Sequence, residues 1–324
     1  MQSAEEEYND NANDVRGQNV KPGGTAQSEQ PVSTNAFLNG NNYHTPDTSM
    51  QSGLNVIDFT MHWNFSSAKK AFDAVTKNYD YKTGTVGNQI TEGGDYTYND
   101  STWNVTYVDS HDFSPEGQYE FRYDKGKEAW AENLCLMFTF RGIPCLYYGS
   151  EVEFQKGLKI DPAAGDGIFA NSGRAYFGDY LEGEVSASDF GEYTASGAVK
   201  ETLEAELSQH LIRLNKIRRA VPALQKGQYS LADITCGEGG MAFKRRYTTS
   251  DIDSYCLVAI TGSAKFENVL NGDYTDVITG EKVTVTDGTL SVDAPGKGNM
   301  RVYVLDTELT KAPGKIGSNT TYLK

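Results

Sequence analysis

Cysteine and histidine are scarce in this chain, four of each in 324 residues. Four cysteines are too few for the dense disulfide framework that staples a small secreted domain. Cys135 and Cys145 lie in apolar stretches and read as buried thiols. Cys236 and Cys256 fall on candidate strands, and the sequence leaves their pairing open. No spacing of His, Cys, Asp or Glu typical of a metal site is visible. Basic residues are also short: 29 Lys and Arg face 44 Asp and Glu, a net charge of −15. That balance argues against nucleic acid and against an anionic membrane as partner. No apolar run approaches the roughly 20 residues needed to span a bilayer. The residues after Met1 are polar and acidic, so no signal peptide is expected there.

Polar chemistry is instead concentrated in Tyr107-Val108-Asp109-Ser110-His111-Asp112, where two carboxylates and one of the four histidines share four positions. The run Val105 to Val108 leads into it and reads as a core strand with a polar tip. In α/β barrels the polar groups at the carboxyl end of a strand tend to be the working ones. An Asp- and Ser-rich turn that caps a following helix is the competing reading. A helix is predicted from about Lys127 to Phe140, with Trp130, Leu134, Met137 and Phe138 on one face. Arg141-Gly142 stops it: arginine suits the end of the helix dipole and glycine the position past it. A second strand, Ile143 to Tyr148, follows at once, with Pro144 near its start, and ends in Gly149-Ser150-Glu151. The order is that of a βαβ unit whose functional edge carries Asp109 to Asp112 and Tyr148 to Glu151.

These two segments resemble the late-barrel signature of the α-amylase superfamily, glycoside hydrolase family 13. That family ends its seventh barrel strand in a Val-Asp-Asn-His-Asp type motif, matched here by Val108 to Asp112 with Ser110 where Asn is commoner. It often carries Gly-Ile-Pro…Tyr-Tyr-Gly-x-Glu on the eighth strand, matched by Gly142 to Glu151. The resemblance implies that Asp112 binds substrate hydroxyls and stabilises the transition state, and that His111 hydrogen-bonds the same sugar. Tyr148 becomes a further candidate sugar contact. The implied activity is that of a retaining glycosidase on α-1,4-glucans (starch and maltooligosaccharides), with hydrolysis and transglycosylation sharing these residues. A neutral polysaccharide is compatible with the acidic charge balance. No cofactor is visible; the full-length family often binds calcium through early-barrel segments, and an extracellular or cell-surface setting is implied.

A retaining glycosidase also needs a nucleophile and a separate general acid. In the resembled family the nucleophile sits in a Gly-x-Arg-x-Asp type motif at the end of the fourth strand, and no such motif precedes Val108. Glu6 is the candidate general acid, through the Glu-x-Tyr-Asn pattern of Glu6 to Asn9; a solvated acidic N-terminus is the competing reading. Counting elements leads the same way. A complete (β/α)8 barrel takes about 250 residues and eight strands. Before Pro222 the convincing strands are Asn55 to Phe59, Val105 to Val108, and Ile143 to Tyr148. Apolar stripes at helical spacing, Ala68, Ala71, Phe72 and Val75, then Leu203, Leu207, Leu211 and Leu214, supply their helices, with Arg218-Arg219 in the last turn. The expected fold is therefore α/β: an incomplete (β/α)8 TIM barrel, the last three βα units, over residues 1–222 with a long N-terminal loop.

A linker is expected near Pro222, and beyond it the period changes. Leu257 to Ile260 reads as a buried strand, and Asn271-Gly272 and Asp287-Gly288 as two-residue hairpin turns. Val283, Val285, Leu290 and Val292 alternate around the second. Short strands at this spacing argue for an antiparallel β-sandwich over 223–309, followed by a polar tail, 310–324, expected to fray. Among the loops, Asn41 to His44, Tyr96, Tyr98 and Trp103 are candidate sugar contacts or simple anchors. Tyr176, with Phe177 and Tyr180, is placed either along the substrate groove or in a local cluster under a long loop.

Three functional readings follow. The first is a fragment of an α-amylase-type glycosidase, with little hydrolysis of its own. The second is a non-catalytic glucan-binding protein derived from the same barrel. The third, a metal cluster of Asp109, His111 and Asp112, is disfavoured because alternate strand side chains diverge. The sequence does not indicate an oligomeric state.

Overall fold

The computed structural model describes residues 57–58, 61–62, 66–71, 102, 104–112, 114–115, 120–161, 169–188 and 192–324. Its first part is a βαβ unit. Strand β1 (Val105–Thr106) leads through helix α1 (Lys127–Thr139) to strand β2 (Ile143–Pro144). β1 and β2 pair in parallel, Val105 opposite Ile143, and Ile57 bridges the other side of Val105, also in parallel. The amides of Asp58, Ile143 and Cys145 donate to the carbonyls of Val105, Asn104 and Thr106 at 2.9, 2.7 and 2.8 Å. Three parallel segments thus lie side by side in chain order, as consecutive βα units do.

Regular pairing is shorter than the sequence suggested. Only two residues of each expected strand, Val105 to Val108 and Ile143 to Tyr148, stay in the ladder; both chains then leave it for the polar tips. Among the described residues no barrel closes, and the sheet is open: Ile57 and Ile143 are 57% and 39% exposed. Cys145, expected as a buried thiol, is exposed on this open sheet, whereas Cys135 on α1 is buried.

α1 was expected to bury one face; every residue from Ala129 to Thr139 is buried. The parallel sheet covers one side of it, and a β-sandwich and a third helix cover the others, so one hydrophobic core runs from Val108 through Leu136 to Val258 and Leu214. The turn after α1 requires glycine. Gly142 has φ +99°, and a Cβ there would meet Thr106 Cγ2 at 2.5 Å and Asn104 O at 2.8 Å. Arg141 does not serve the dipole of α1. It is fully buried and pairs with Asp58 at 2.6 Å. The carbonyls at the end of α1 are taken by two arginines from elsewhere: Arg218 donates to Phe138 O and Gly142 O, and Arg245 to Thr139 O and Phe140 O. These cations meet the negative end of the helix that the sequence had assigned to Arg141.

After β2, two strands, β3 (Glu184–Ala187) and β4 (Tyr193–Ser196), form a surface hairpin. The expected leucine stripe is split at Ala205, whose extended backbone separates α2 (Ala198–Glu204) from α3 (Glu206–Ala220). Leu207 and Leu214 are buried and Leu211 packs against the same core. Pro222, instead of lying in an extended linker, opens α4 (Pro222–Lys226), whose Ala223 and Leu224 are buried.

Strands β5 (Gln228–Ser230), β6 (Ile234–Cys236), β7 (Met241–Thr248), β8 (Asp253–Ile260), β9 (Gly262–Phe266), β10 (Gly272–Asp276), β11 (Lys282–Val285), β12 (Leu290–Ala294) and β13 (Met300–Leu305) build the sandwich. The larger sheet has the order β11-β10-β13-β8-β7-β5, the smaller β12-β9-β6; every pair is antiparallel. Successive residues of β8 face opposite cores. Tyr255, Leu257 and Ala259 point between the sheets, while Cys256, Val258 and Ile260 point toward α1. Burial on both faces explains why this strand reads as an unbroken apolar run. It also separates the two cysteines: Cys256 faces α1, Cys236 packs on the sandwich core, and both are free thiols.

The two expected hairpin turns are not hairpins. Asn271-Gly272 joins β9 of the small sheet to β10 of the large one, and Asp287-Gly288 joins β11 back to β12. Positive φ, 144° at Gly272 and 72° at Gly288, suits a change of sheet as well as a tight turn. The two corners lie side by side, Gly288 N donating to Asn271 Oδ1 at 2.9 Å. The tail does not fray either: Tyr322 and Leu323 are buried, and Arg213 of α3 donates to Ile316 O and Leu323 O at 2.9 and 2.8 Å.

Candidate functional site

The polar tip of β1 divides by side. Tyr107, Val108 and Asp109 turn inward and are buried. The ring of Tyr107 stacks on His62 at 4.4 Å and 17°, and burial pushes the His62 imidazole down to about 4. Asp109 Oδ2 lies 2.9 Å from Arg122 Nε, with both side chains almost wholly buried, and accepts from Ser150 Oγ at 3.3 Å. Burial pushes the Asp109 carboxyl up to about 6, with Arg122 and the Ser150 hydroxyl pulling against it.

His111 and Asp112 turn outward. Their side chains are 65% and 50% exposed, with His111 Nε2 3.2 Å from Asp112 Oδ2. Asp112 N donates to Ser110 Oγ at 3.1 Å, a short polar turn that sets the carboxylate. The other carboxylate oxygen, Oδ1, meets Arg174 at 3.3 Å; the same guanidinium donates to His111 O at 3.1 and 2.7 Å and reaches Asp161 Oδ1 at 2.8 Å. The site thus presents an exposed acid and imidazole side by side on a braced loop.

The tip of β2 lies alongside. Tyr147 has its ring 6.5 Å from His111, and burial with the hydrogen bond to Tyr148 pushes its hydroxyl up to about 12. Tyr148, the candidate sugar contact, directs its hydroxyl at Ala175 O, 3.0 Å away, and so anchors the 173–175 loop. Gly149, at φ +78°, lets the chain turn there: a Cβ would meet Phe154 Cβ at 2.5 Å. Burial pushes the Glu151 carboxyl up from its ordinary range.

Tyr176 is 79% exposed. Its neighbours Phe177 and Tyr180 stack at 5.0 Å and 10° and close on Phe154 at 5.0 and 5.4 Å, the local cluster that the sequence offered as one alternative. Glu6, Asn41 to His44, Tyr96, Tyr98 and Trp103 lie outside the described residues.

Asp109 faces Arg122 in the interior while His111 and Asp112 face outward, so these three do not converge on one ion. Among the described residues no group of three or more His, Cys, Asp or Glu side chains converges on one point. The residues of this arrangement that sequence reasoning missed are Arg122 and Arg174, whose guanidinium groups hold its loops. Arg174 stood in a stretch noted only for its aromatics; Arg122, between Phe121 and Tyr123, carried no motif or period.

No protein-family model matches the chain. It is 27% identical over 237 residues to an α-amylase of Streptomyces lividans, covering 70% of this chain and 24% of that protein. It is 29% identical over 127 residues to a cyclomaltodextrin glucanotransferase of Bacillus sp. (strain 38-2), covering 39% and 16%. The similarity joins the paired motifs at the tips of two adjacent parallel strands. These similarities are to proteins of the kind that the paired motifs resemble, and they support a likeness to the α-amylase superfamily. This chain spans about a quarter of the length of the α-amylase it matches. Solved structures that it resembles include a cyclomaltodextrinase, at 16% identity and TM-score 0.48 over 77% of this chain and 36% of that one, and an Anoxybacillus α-amylase, at 18% and 0.45 over 77% and 46%.

Proposed function

We propose that this chain is the late-barrel and C-terminal β part of an α-amylase-type retaining glycosidase acting on α-1,4-glucans such as starch and maltooligosaccharides. The observation that carries the reading is the exposed His111–Asp112 pair, 3.2 Å apart, at the carboxyl end of β1 beside the tip of its parallel neighbour β2. Retaining glycosidases pass through an oxocarbenium-like transition state, and hydrogen bonds to ring hydroxyls that strengthen there supply several kcal/mol. Asp112 offers carboxylate oxygens to such hydroxyls, and His111 an imidazole to the adjacent one. Similarity to an α-amylase and to a glucanotransferase supports glucan chemistry and leaves hydrolysis and transglycosylation as siblings. An extracellular or cell-surface setting is part of the same proposal.

The reaction also needs a nucleophile and a general acid, and no Gly-x-Arg-x-Asp segment occurs in these 324 residues. The purified chain is therefore expected to bind maltoheptaose in a calorimetric titration while leaving a chromogenic maltooligosaccharide intact. Turnover that disappears in Asp112→Asn would show that the nucleophile is present after all. Absence of any maltoheptaose binding would remove the glucan reading. The alternative, a non-catalytic glucan-binding protein, draws on the same missing motif. An in-frame coding segment upstream of Met1 with a Gly-x-Arg-x-Asp motif would decide for the glycosidase.

A further inference from the structure

We infer that Arg122 is the positioning residue of this site: one buried guanidinium that fixes the loop of His111 and Asp112, the Tyr147–Ser150 tip and the Gly173–Arg174 segment against one another. Its Nε lies 2.9 Å from Asp109 Oδ2, three residues before Asp112. One terminal nitrogen donates to Tyr148 O at 2.9 Å and lies 3.4 Å from Ser150 Oγ. The other donates to Gly173 O at 3.0 Å. The guanidinium carbon sits 4.5 Å from the centroid of Tyr147, the ring beside His111.

The backbone of Arg122 is itself pinned, its N–H donating to Leu158 O at 2.9 Å and its carbonyl accepting from Gly157 N at 3.1 Å. The approach to residue 173 is close enough to demand glycine, since a Cβ on Gly173 would meet Arg122 Cγ at 2.7 Å. From Gly173 the chain continues into Arg174, whose guanidinium grips His111 O and Asp112 Oδ1. Asp112 is therefore tied to Arg122 by two routes, one through Asp109 along its own loop and one through Gly173 and Arg174. A planar fork with five N–H donors can serve a carboxylate and two carbonyls of separate segments at once; a lysine ammonium on a single stem cannot.

The sugar-facing part of this assignment rests on the reading of His111 and Asp112 as glucan contacts, so the test has two readouts. Amide hydrogen exchange is followed in the full chain for wild type, Arg122→Lys and the charge-balanced double variant Arg122→Met with Asp109→Asn, alongside maltoheptaose titration. Arg122→Lys is expected to speed exchange roughly tenfold at the amides of Asp112, Ser150 and Arg174, and to leave Phe243 and Val258 in the sandwich unchanged. Maltoheptaose affinity should fall with the loop protection. Unchanged exchange at those three amides, or an equal rise in the sandwich, overturns the assignment; the second would mark Arg122 as an ordinary stability residue. The double variant should show the same local loosening, and it carries the test if Arg122→Lys does not fold. Local loosening in the variants with no maltoheptaose binding by the wild type upholds Arg122 as the brace and overturns the glucan reading instead.

Discussion

The carboxylate of Glu132 accepts a hydrogen bond from the Thr261 hydroxyl at 2.6 Å, joining the middle of α1 to the start of the β8–β9 turn. Its other oxygen takes the amide of Ala68 at 2.9 Å. One buried side chain therefore ties three parts of the chain: the helical turn at 68–71, α1, and the sandwich. Glu132→Ala would strand both donors, each at roughly 1–3 kcal/mol. We expect a loss of about 3 kcal/mol in urea unfolding, with signals from both parts lost in one transition. A variant that unfolds in two steps with an unshifted sandwich would contradict this coupling.

Arg245 reaches from β7 to the carbonyls of Thr139 and Phe140 and, with its other nitrogen, to Gly227 O at 2.6 Å. Arg245→Met keeps much of the buried stem but removes the donors. The end of α1 loses part of its cap, so destabilisation of about 2–4 kcal/mol is expected. Chemical denaturation checks it; a change under 0.5 kcal/mol would show that Arg218 alone suffices.

Gly142→Ala tests the seam between α1 and β2. The substitution forces a Cβ into Thr106 and Asn104 O at a backbone φ of +99°, where alanine is strained. A loss of about 2 kcal/mol or more is expected by thermal or urea unfolding, whereas Gly126→Ala, also at positive φ but with nothing within 4 Å, should cost less.

Two groups give opposed acid sensitivities. Burial holds His210 down to about 4 against an ordinary 6.5, so between those values the unfolded chain binds a proton that the folded chain does not, and stability falls as pH falls. Asp109 is held up at about 6 against 3.8; between those values the folded chain holds the extra proton, and stability rises as pH falls. His210→Gln should therefore lower the slope of stability against pH between 4 and 6.5 by about 1.4 kcal/mol per unit, and Asp109→Asn should raise it by a similar amount between 4 and 6. Urea midpoints measured from pH 4 to 7 decide; slopes that move the same way in both variants would refute the assignment.

Much of this was legible along the chain because it depends on local periodicity and on motifs contiguous in sequence. The α1 segment, the parallel order of its flanking strands, the alternation of Val283, Val285, Leu290 and Val292, and the His111–Asp112 tip are of that kind. The misreadings have a common origin. Asn271-Gly272 and Asp287-Gly288 announce positive φ, and a tight hairpin and a corner between sheets both require it. Arg141 sits where a dipole partner belongs, yet a buried Asp58 claimed it, and the helix end was served from α3 and β7 instead.

The residue order alone indicated the α1 helix, the apolar β8 strand and the change to strand spacing after Pro222, and it set an acid and an imidazole together after β1. Those properties follow from nearest neighbours and from spacing. Only the tertiary structure decided that α1 is enclosed on all sides, that the polar tail docks on Arg213, and that Arg122 and Arg174 brace the site from outside both motifs. A guanidinium chooses its acceptors in three dimensions, and residues 51 positions apart, as Arg122 and Gly173 are, meet only after the core between them has formed.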